Sequence, residues 1–288
     1  MIAAGQCVAV PTETVYGLAA DATRADAVSR IYEAKGRPAF NPLIVHVGTL
    51  EEARSLAVMN DDACALANAF WPGPLTLVVP ARPGSPIATQ VTAGLPTLAV
   101  RVPFHPVMRA LLAACERPLA APSANASGRI SPTLAKHVLS SLEGRIPLIV
   151  DGGATQAGLE STIVALTGGP PRLLRPGPIS AERLGLPFSA GIDRIEAPGQ
   201  LRSHYKPVKP TALNNSERAA GTWLIGFGEI AGDASLSPGG DLNEAAATLY
   251  ARLFEADASD RATIAVAPVP EIGIGAAIND RLRRAAAP

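Results

Sequence analysis

Near the start of the chain, residues 7–18 read CVAVPTETVYGL. The apolar run Cys7–Val10 is typical of a buried strand, and it gives way at Pro11 to hydroxyl and carboxylate side chains. Small hydroxyl or cationic residues recur along the first two thirds of the chain, in KGRP at 35–38, PSAN at 122–125, GLEST at 158–162 and LRPG at 174–177. If the fold brings these stretches to one edge of a sheet, they would hold a polyphosphate beside a small polar substrate.

The surrounding sequence alternates between short apolar runs and helical segments, which favours an α/β fold. We predict strands at Cys7–Val10, Leu43–Val47, Leu75–Val79, Thr97–Val102, Pro118–Ala121, Pro147–Val150, Thr162–Leu166 and Arg172–Leu174. One helix is predicted over residues 24–35, with Gly36 as its terminator. Another is predicted to begin at Ser131-Pro132, because serine can cap a helix and proline suits its first position.

The composition changes at residues 197–210, where the sequence APGQLRSHYKPVKP predicts an extended, exposed linker. Beyond it we predict a smaller α/β unit with strands at Thr222–Gly226 and Ala262–Ala267, and helices at Leu242–Ala256 and Ala276–Ala286. The predicted organisation is a first domain at residues 1–196, a linker at 197–210 and a C-terminal domain at 211–288.

The composition is that of a soluble globular protein large enough for two domains: 288 residues, 48% hydrophobic and 17% charged. Lys and Arg number 25 and so do Asp and Glu, and up to Glu196 there are 16 basic residues against 15 acidic ones. Neither part of the chain is basic. General nucleic-acid binding is therefore disfavoured, because such proteins usually carry a basic stripe.

No apolar run approaches the roughly 20 residues that a membrane span needs, and the first residues lack the pattern of a secretory signal. We therefore expect a cytoplasmic protein with no membrane association. The three cysteines, Cys7, Cys64 and Cys115, lie far apart. Disulfides and a zinc site are both disfavoured by that spacing, and the four histidines also lack metal-ligand spacing.

Several candidate site residues have a second, purely structural interpretation. The usual phosphate loops are absent, so Lys35 and Arg37 could bind phosphates or could only complement the negative end of the preceding helix. Ser123 and Asn125 could line a phosphate pocket or form an ordinary turn and helix cap. Ser131 is more typical of a cap than of a ligand, and His46 could be a buried residue with satisfied hydrogen bonds.

Taken together, the order and spacing of these motifs resemble the Sua5/YrdC family of threonylcarbamoyl-adenylate synthases. The motifs that carry the resemblance are PTETVYGL at 11–18, KGRP at 35–38, NPLIVHV at 41–47, WPGPLTLV at 71–78, LAVRVP at 98–103, APSAN at 121–125, SPT at 131–133, GLESTIV at 158–164 and LLRPG at 173–177. SHYKP at 203–207 and AAINDRLRRAA at 276–286 resemble the longer, Sua5 type, so the resemblance covers nearly the whole chain.

The resemblance implies that L-threonine, bicarbonate or CO2, and ATP give L-threonylcarbamoyl-AMP and pyrophosphate, for N6-threonylcarbamoyladenosine at position 37 of certain tRNAs. It implies an L-threonine site at Thr14, His46, Arg101, Ala121 and Ser161. It implies an ATP site at Arg37, Asn41, Thr97, Ser123, Ser131, Arg175 and Tyr205. Lys35, Arg37, Ser123 and Asn125 would supply the catalytic charge and hydrogen bonds, with Mg²⁺ bridging the phosphates and no metal held by the protein.

The resemblance also implies a fold: a twisted, mixed-sheet YrdC-like domain with an open cleft, a linker, and a small Rossmann-like α/β domain. Tyr205 would fold over the nucleotide as part of a lid, although it could instead only pack the linker onto a domain. Partners beyond the substrates would be tRNA and the downstream threonylcarbamoyl transferase.

Two alternatives remain open from the sequence. A double-stranded RNA or tRNA-binding module without synthase activity would use the concave surface of such a fold. A carbamoyl-transfer role, as in related domains of hydrogenase maturation proteins, would be accompanied by an acylphosphatase-like unit and cysteine-rich zinc fingers, and this sequence shows neither.

Overall fold

A computed structural model describes residues 1–189, 196–199 and 204–287. Residues 200–203 of the predicted linker lie outside the described residues, as do 190–195 of the predicted first domain and residue 288 of the predicted C-terminal domain. The fold confirms the α/β prediction: a large mixed sheet is followed by a second domain with a parallel sheet.

After a 3₁₀ turn at Ile2–Ala4, the first domain alternates strands and helices. Its elements are β1 (Val8–Pro11), β2 (Tyr16–Asp21), α1 (Ala25–Lys35), β3 (Ile44–His46), α2 (Leu50–Leu56), α3 (Asp61–Phe70), β4 (Leu75–Pro80), α4 (Thr89–Thr92), β5 (Thr97–Arg101), α5 (Pro106–Cys115), β6 (Leu119–Ala120), α6 (Ala135–Leu142), β7 (Thr162–Ala165), β8 (Arg172–Arg175) and α7 (Ala181–Leu184).

These strands form one eight-stranded sheet within the described residues, in the order β1-β2-β6-β3-β5-β4-β7-β8. The pairs β3/β5 and β4/β7 are parallel and the other neighbours are antiparallel. One face is covered by helices over the main apolar core, which contains Val45, Leu77 and Val100. The other face carries a smaller apolar cluster that includes Ile44, Ala99 and Ala197.

The second domain contains β9 (Thr211–Leu213), β10 (Thr222–Gly226), β11 (Ala234–Ser235), α8 (Leu242–Ala258), β12 (Thr263–Val266) and α9 (Gly275–Ala285). Its four strands lie in the order β11-β10-β12-β9 and all their pairings are parallel. Its apolar core also takes in Val15, Leu159 and Tyr205 from outside the domain. The two domains therefore share buried apolar surface next to the PTETVYGL and GLEST motifs.

Backbone atoms meet directly where the domains touch. Gly158 has a φ of +68°, and a Cβ added there would lie 2.3 Å from the carbonyl oxygen of Ala246 in α8. A contact below 3.0 Å has no room for a side chain, and a positive φ disfavours other residues as well. Glycine is therefore required at the point where the GLEST loop runs against the second domain.

Two predicted elements are wrong. No helix begins at Ser131-Pro132: α6 begins four residues later, because the Pro132 carbonyl accepts the amide of Tyr16 at 2.8 Å and Ser131 is fully buried. Pro147–Val150 is not a strand: it meets β1 only at the Ala9–Ile149 bridge. By contrast, α1 confirms its prediction, and Gly36 ends it in the left-handed conformation at φ 59°.

Candidate active site

The candidate cleft lies on the face of the large sheet opposite the main apolar core, beside the part of that face that α5 covers through Met108 and Leu112, rather than along one edge. In the parallel pair of β3 and β5, Ile44 faces Ala99 and His46 faces Arg101, so these four side chains share one face. Most of the predicted site residues line this one cleft, namely Thr14, Arg37, His46, Arg101, Ala121, Ser123, Ser161, Arg175 and Tyr205. The fold therefore gathers motifs that are as much as 190 residues apart.

Arg101, at the end of β5, is the buried anchor of one half of the cleft. Its guanidinium donates to the Gly73 carbonyl at 3.1 Å, to Thr14 Oγ1 at 3.1 Å and to Glu13 Oε1 at 2.6 Å. Burial alone would raise the pKa of Glu13, but the Arg101 charge and hydrogen bond outweigh it and hold that pKa below its ordinary value. Glu13 is thus an ionised residue that fixes Arg101 in one orientation.

His46 lies beside Arg101 as a neutral imidazole. Burial, and then the Arg101 charge, lower its pKa to about 3. Its Nδ1 has no hydrogen-bond partner among the described residues, although the side chain is 98% buried. A buried polar atom without a partner indicates a place for a ligand group. The His46 ring also has hydrogen-bonding contacts with the backbone of Ile44 and Leu119, so it is in part a structurally satisfied histidine.

Ser161 and Arg175 form the opposite wall. Ser161 Oγ lies 2.7 Å from Thr76 Oγ1 and accepts from an Arg175 terminal nitrogen at 3.0 Å. Arg175 also donates from Nε to the Ser161 carbonyl at 3.0 Å and from its other terminal nitrogen to the Pro198 carbonyl at 3.4 Å. One arginine thus links the GLEST loop, strand β8 and the segment that covers the cleft.

Arg37 is held in the cleft by its own loop. It donates from Nε to the Asn41 carbonyl at 3.1 Å and from a terminal nitrogen to the Pro42 carbonyl at 2.8 Å. Burial lowers its pKa to about 10, so Arg37 remains cationic at neutral pH. Both side-chain polar atoms of Asn41 are buried without a partner in the described part of the chain, which is the pattern expected of a ligand contact.

Lys35 supports the cleft from behind rather than lining it. Its ammonium is buried and donates to the Ser123 carbonyl at 2.6 Å and to the Asn125 carbonyl. Asn125 in turn donates from Nδ2 to the Ala126 and Arg129 carbonyls, at 2.9 and 2.8 Å. The structure therefore places Lys35 and Asn125 as braces of the PSAN turn, while Ser123 itself lines the cleft.

Residues of the predicted linker cover the cleft. Pro198, Gly199, His204 and Tyr205 line it, and Tyr205 is 1% exposed, so the expectation of an exposed linker is wrong for these residues. Tyr205 has a φ of 63°, a left-handed conformation that is uncommon for residues other than glycine. Its hydroxyl has no partner among the residues that the structure describes. Tyr205 therefore packs over the cleft, and no residue that the structure describes takes up its hydroxyl.

Three predicted ATP residues are not among the side chains that line the cleft, namely Asn41, Thr97 and Ser131. Thr97 stands at the opposite end of β5 from Arg101 and lines a separate depression with Pro80 and Glu196. Ser131 is fully buried and is not among the side chains that line the cleft. The structure therefore separates Thr97 from the cleft, whereas Ser131 lies close enough to Glu160 to lower the pKa of that cleft carboxyl.

Two acidic residues of the site carried no role in the sequence analysis. Glu13 pairs with Arg101, and Glu160 lines the cleft next to Ser161. Each is the single acidic residue in a motif made mostly of hydroxyl and apolar residues. This feature of the sequence could have identified both as candidate site residues. Their arginine partners could not be identified from the sequence, because Arg101 and Arg281 lie 88 and 121 positions away.

With this geometry in place, comparison with known proteins identifies the family. The Sua5/YciO/YrdC family profile, described as telomere recombination, matches residues 1–177, and the profile of the threonylcarbamoyl-AMP synthase C-terminal domain matches residues 179–287. The chain belongs to the Sua5/YrdC family. The resemblance drawn from the motifs is thereby confirmed.

Similar proteins in this family extend over nearly the whole chain. A threonylcarbamoyl-AMP synthase of Pyrococcus abyssi is 40% identical over 309 residues, covering 98% of this chain and 90% of that protein. One of Bacillus subtilis is 40% identical over 315 residues, covering 98% and 89%. The crystal structure of P. abyssi Sua5 complexed with L-threonine superposes with a TM-score of 0.91 at 39% identity, covering 99% of this chain and 92% of that one.

Proposed function

We propose that this chain is a threonylcarbamoyl-AMP synthase, which makes L-threonylcarbamoyl-AMP and pyrophosphate from L-threonine, bicarbonate or CO2, and ATP. Full-length relatives at 40% identity carry this name. The observation that carries the proposal within the structure is the placement of three buried arginines, Arg37, Arg101 and Arg175, in one cleft with unpartnered polar atoms between them. Such a cleft can bring two anions together.

Two halves of the cleft suit the two substrates. Arg101, held by Glu13, suits the carboxylate of L-threonine, while the neutral His46 and the hydroxyls of Thr14 and Ser161 suit its amine and side-chain hydroxyl. Arg37, Arg175, Ser123 and Tyr205 suit the phosphates and nucleoside of ATP. Ser161 belongs to both halves, because its hydroxyl also accepts from Arg175.

The reaction then needs positioning more than proton transfer by the protein. The threonine ammonium loses a proton to water, the free amine attacks CO2, and a second proton passes from nitrogen to water to leave the carbamate anion. A carbamate oxygen attacks the α-phosphorus in line, and the bond from that phosphorus to the bridging oxygen breaks to release pyrophosphate. Among the described side chains that line the cleft none is an obvious general base, since His46 with a pKa of about 3 is a weak proton acceptor. The buried arginines would stabilise the charge that develops on the phosphoryl oxygens.

Mg²⁺ would enter with ATP. The two carboxylates that line or flank the cleft, Glu13 and Glu160, are engaged by arginines, so they do not fit as free metal ligands. Among the described residues no group of three His, Cys, Asp or Glu side chains could hold a metal ion. The ion would therefore be coordinated by the phosphates and would neutralise part of their charge.

The product would supply a threonylcarbamoyl group for adenosine 37 of tRNA, so we propose the downstream transferase and tRNA as partners and the cytoplasm as the location. Within the described residues, no helix is both long enough and apolar enough to span a bilayer. The alternative of an RNA-binding module is not favoured, because the cations of the cleft are buried and cannot reach an RNA backbone.

The direct test is to incubate the protein with ATP, bicarbonate, Mg²⁺ and labelled L-threonine, and to measure adenylate and pyrophosphate. We expect both products in equal amounts, and neither when threonine is omitted or Mg²⁺ is chelated. Equal ATP cleavage without the amino acid would contradict the substrate assignment. A salt-sensitive shift with tRNA and no ATP turnover would instead favour the RNA-binding module.

Tyr205 is proposed to close the cleft over the nucleotide and shield the mixed anhydride from water. Replacing Tyr205 with alanine should lower the rate of adenylate formation by about 10- to 100-fold, because loss of a closing group admits water and loosens the substrates. Tyr205→Phe is the matched control: it keeps the ring and removes only the hydroxyl, so it should retain more activity. Unaltered product formation and pyrophosphate release by Tyr205→Ala would reject the lid.

A further inference from the structure

The second domain reaches the wall of the cleft through one buried side chain, Arg281 of α9. This residue is fully buried. Its Nε donates to Glu160 Oε2 at 2.8 Å, and one terminal nitrogen donates to the Pro176 carbonyl at 2.9 Å. The other terminal nitrogen pairs with Asp280 at 2.7 Å. Each of the three guanidinium nitrogens thus donates to a defined partner, and two of these partners lie in the first domain.

Tyr250 of α8 holds the same carboxylate. Its hydroxyl lies 3.0 Å from each oxygen of Glu160. Burial, and then the Glu160 charge, raise the pKa of Tyr250 well above its ordinary value, so the hydroxyl remains a donor. Two helices of the second domain therefore fix the position of one carboxylate in the first.

The same contacts extend to the lid. The Arg281 guanidinium carbon lies 5.2 Å from the centre of the Tyr205 ring, within the range of a cation–π interaction. The Tyr205 and Tyr250 rings are 5.7 Å apart. The closed position of Tyr205 is thus supported from the second domain.

Each first-domain partner of Arg281 is the chain neighbour of a cleft residue. Glu160 precedes Ser161, and Pro176 follows Arg175. Ser161 and Arg175 are themselves joined by two hydrogen bonds of 3.0 Å. A single guanidinium therefore holds both ends of the pair that forms one wall of the cleft.

Arg281 also neutralises the charge of Glu160 in the cleft. Glu160 lines the cleft, and an unpaired carboxylate there would repel the phosphates of ATP. Burial opposes its ionisation, but Arg281 and then Arg175 outweigh burial and lower the pKa of Glu160 to about 2. The carboxylate is thus ionised and its charge is balanced by the guanidinium of Arg281.

We infer that Arg281 is a positioning residue for the synthase reaction: it fixes Ser161 and Arg175 through their neighbours, neutralises Glu160 beside the phosphate site and supports Tyr205 in the closed lid. The inference rests on the proposed function. It assigns to the C-terminal domain a part in completing the cleft. A domain that served only for attachment would not need a buried guanidinium directed at the GLEST loop.

The test compares four variants of the full chain: Arg281→Met, Glu160→Gln, the double variant and Arg283→Met. Arg283 is the matched control, because it lies on the same helix but is exposed and pairs with the exposed Glu271. For each variant, kcat, the KM for ATP, the KM for L-threonine and the Tm are measured.

We expect Arg281→Met to lower kcat/KM for ATP about 100-fold, since it leaves a buried carboxylate unpaired. The KM for ATP should rise more than the KM for L-threonine, because the carboxylate repels phosphates but not a zwitterion. Glu160→Gln should lower kcat/KM about 10-fold, and the charge-neutral double variant should return to within about 3-fold of Glu160→Gln. Arg283→Met should stay within about 2-fold of the wild-type protein.

The inference is overturned if Arg281→Met loses Tm but keeps the wild-type kcat and KM for ATP, or if the losses of the two single variants simply multiply in the double variant. If Arg281→Met does not fold, Arg281→Lys provides the test. Lysine keeps the positive charge, but it cannot donate to Glu160 and Pro176 from two fixed nitrogens as arginine does. A wild-type kcat for Arg281→Lys would overturn the positioning role. A wild-type protein without synthase activity would reject the proposed function instead.

Discussion

Replacing Arg37 with methionine is expected to lower kcat for threonylcarbamoyl-AMP formation about 1,000-fold. A preorganised cation stabilises the negative charge that develops on the phosphoryl oxygens in the transition state, and removing such a cation lowers the rate by about this factor in comparable sites. Arg37 is buried in the cleft, and two backbone carbonyls of its own loop hold its guanidinium in place. The charge therefore needs no reorganisation when the α-phosphorus is attacked. The measurement is single-turnover formation of adenylate and pyrophosphate at saturating substrates.

Two controls separate the charge of Arg37 from its packing. Arg37→Lys keeps the charge but cannot reach both carbonyls, so it should recover part of the lost rate. Arg30→Met removes an exposed arginine of the same region, at the surface of α1, and should leave the rate unchanged. If Arg37→Met retained the wild-type kcat and changed only the KM for ATP, the cation would bind the nucleotide without taking part in the reaction.

Replacing Arg101 with methionine is expected to raise the KM for L-threonine at least 100-fold, because the guanidinium proposed to bind the substrate carboxylate is lost. It should also leave Glu13 as a buried, unpaired carboxylate, and removing one partner of such a pair costs about 3–5 kcal/mol of stability. Titrating each variant with L-threonine, and measuring Tm for folding, separates the two effects. Glu13→Gln combined with Arg101→Met should restore stability but not threonine binding.

The pKa of Glu13 decides in which direction the Tm difference between the wild-type protein and Arg101→Met changes with pH. Arg101 holds the pKa of Glu13 in the folded protein below its ordinary value. The pair therefore stabilises the wild-type fold at any pH above the ordinary pKa of Glu. This stabilisation is lost as the pH falls through the lowered pKa. Without Arg101, burial is opposed only by backbone hydrogen bonds, and the carboxyl binds a proton more readily. The Tm difference between the wild-type protein and Arg101→Met should therefore shrink between pH 8 and pH 5. A constant difference over this range would mean that Glu13 is not the source of the instability.

Much of the fold could be predicted because its strands are short apolar runs bounded by turn residues. Gly36 shows why a local signal can succeed: it ends α1 through its own left-handed conformation. Ser131-Pro132 shows why one can fail, since the Pro132 carbonyl is used by the Tyr16 amide from a turn far away in the sequence. Long-range backbone pairing overrode a local helix signal there.

Some residues of the candidate site could be predicted from local sequence patterns, and others depend on contacts between distant segments. Thr14, Arg37, Ser123 and Ser161 stand in turns whose polar residues are visible in the sequence, and the structure brings them to one cleft. The buried position of Lys35, the burial of Tyr205 and the link from Glu160 to Arg281 depend on contacts between distant segments. No local pattern contains the information that two helices of the second domain complete the first domain's cleft.

The contact at Gly158 has a consequence for how this protein tolerates change. The approach of the GLEST loop to α8 is made between main-chain atoms, so it does not depend on which side chains α8 carries at that point. Side chains of α8 next to this point can therefore change over evolutionary time while the main-chain contact is retained, whereas Tyr250 of the same helix is tied to Glu160 by its side chain. Position 158 itself has no such freedom, because even one added methyl group would have to push a helix aside.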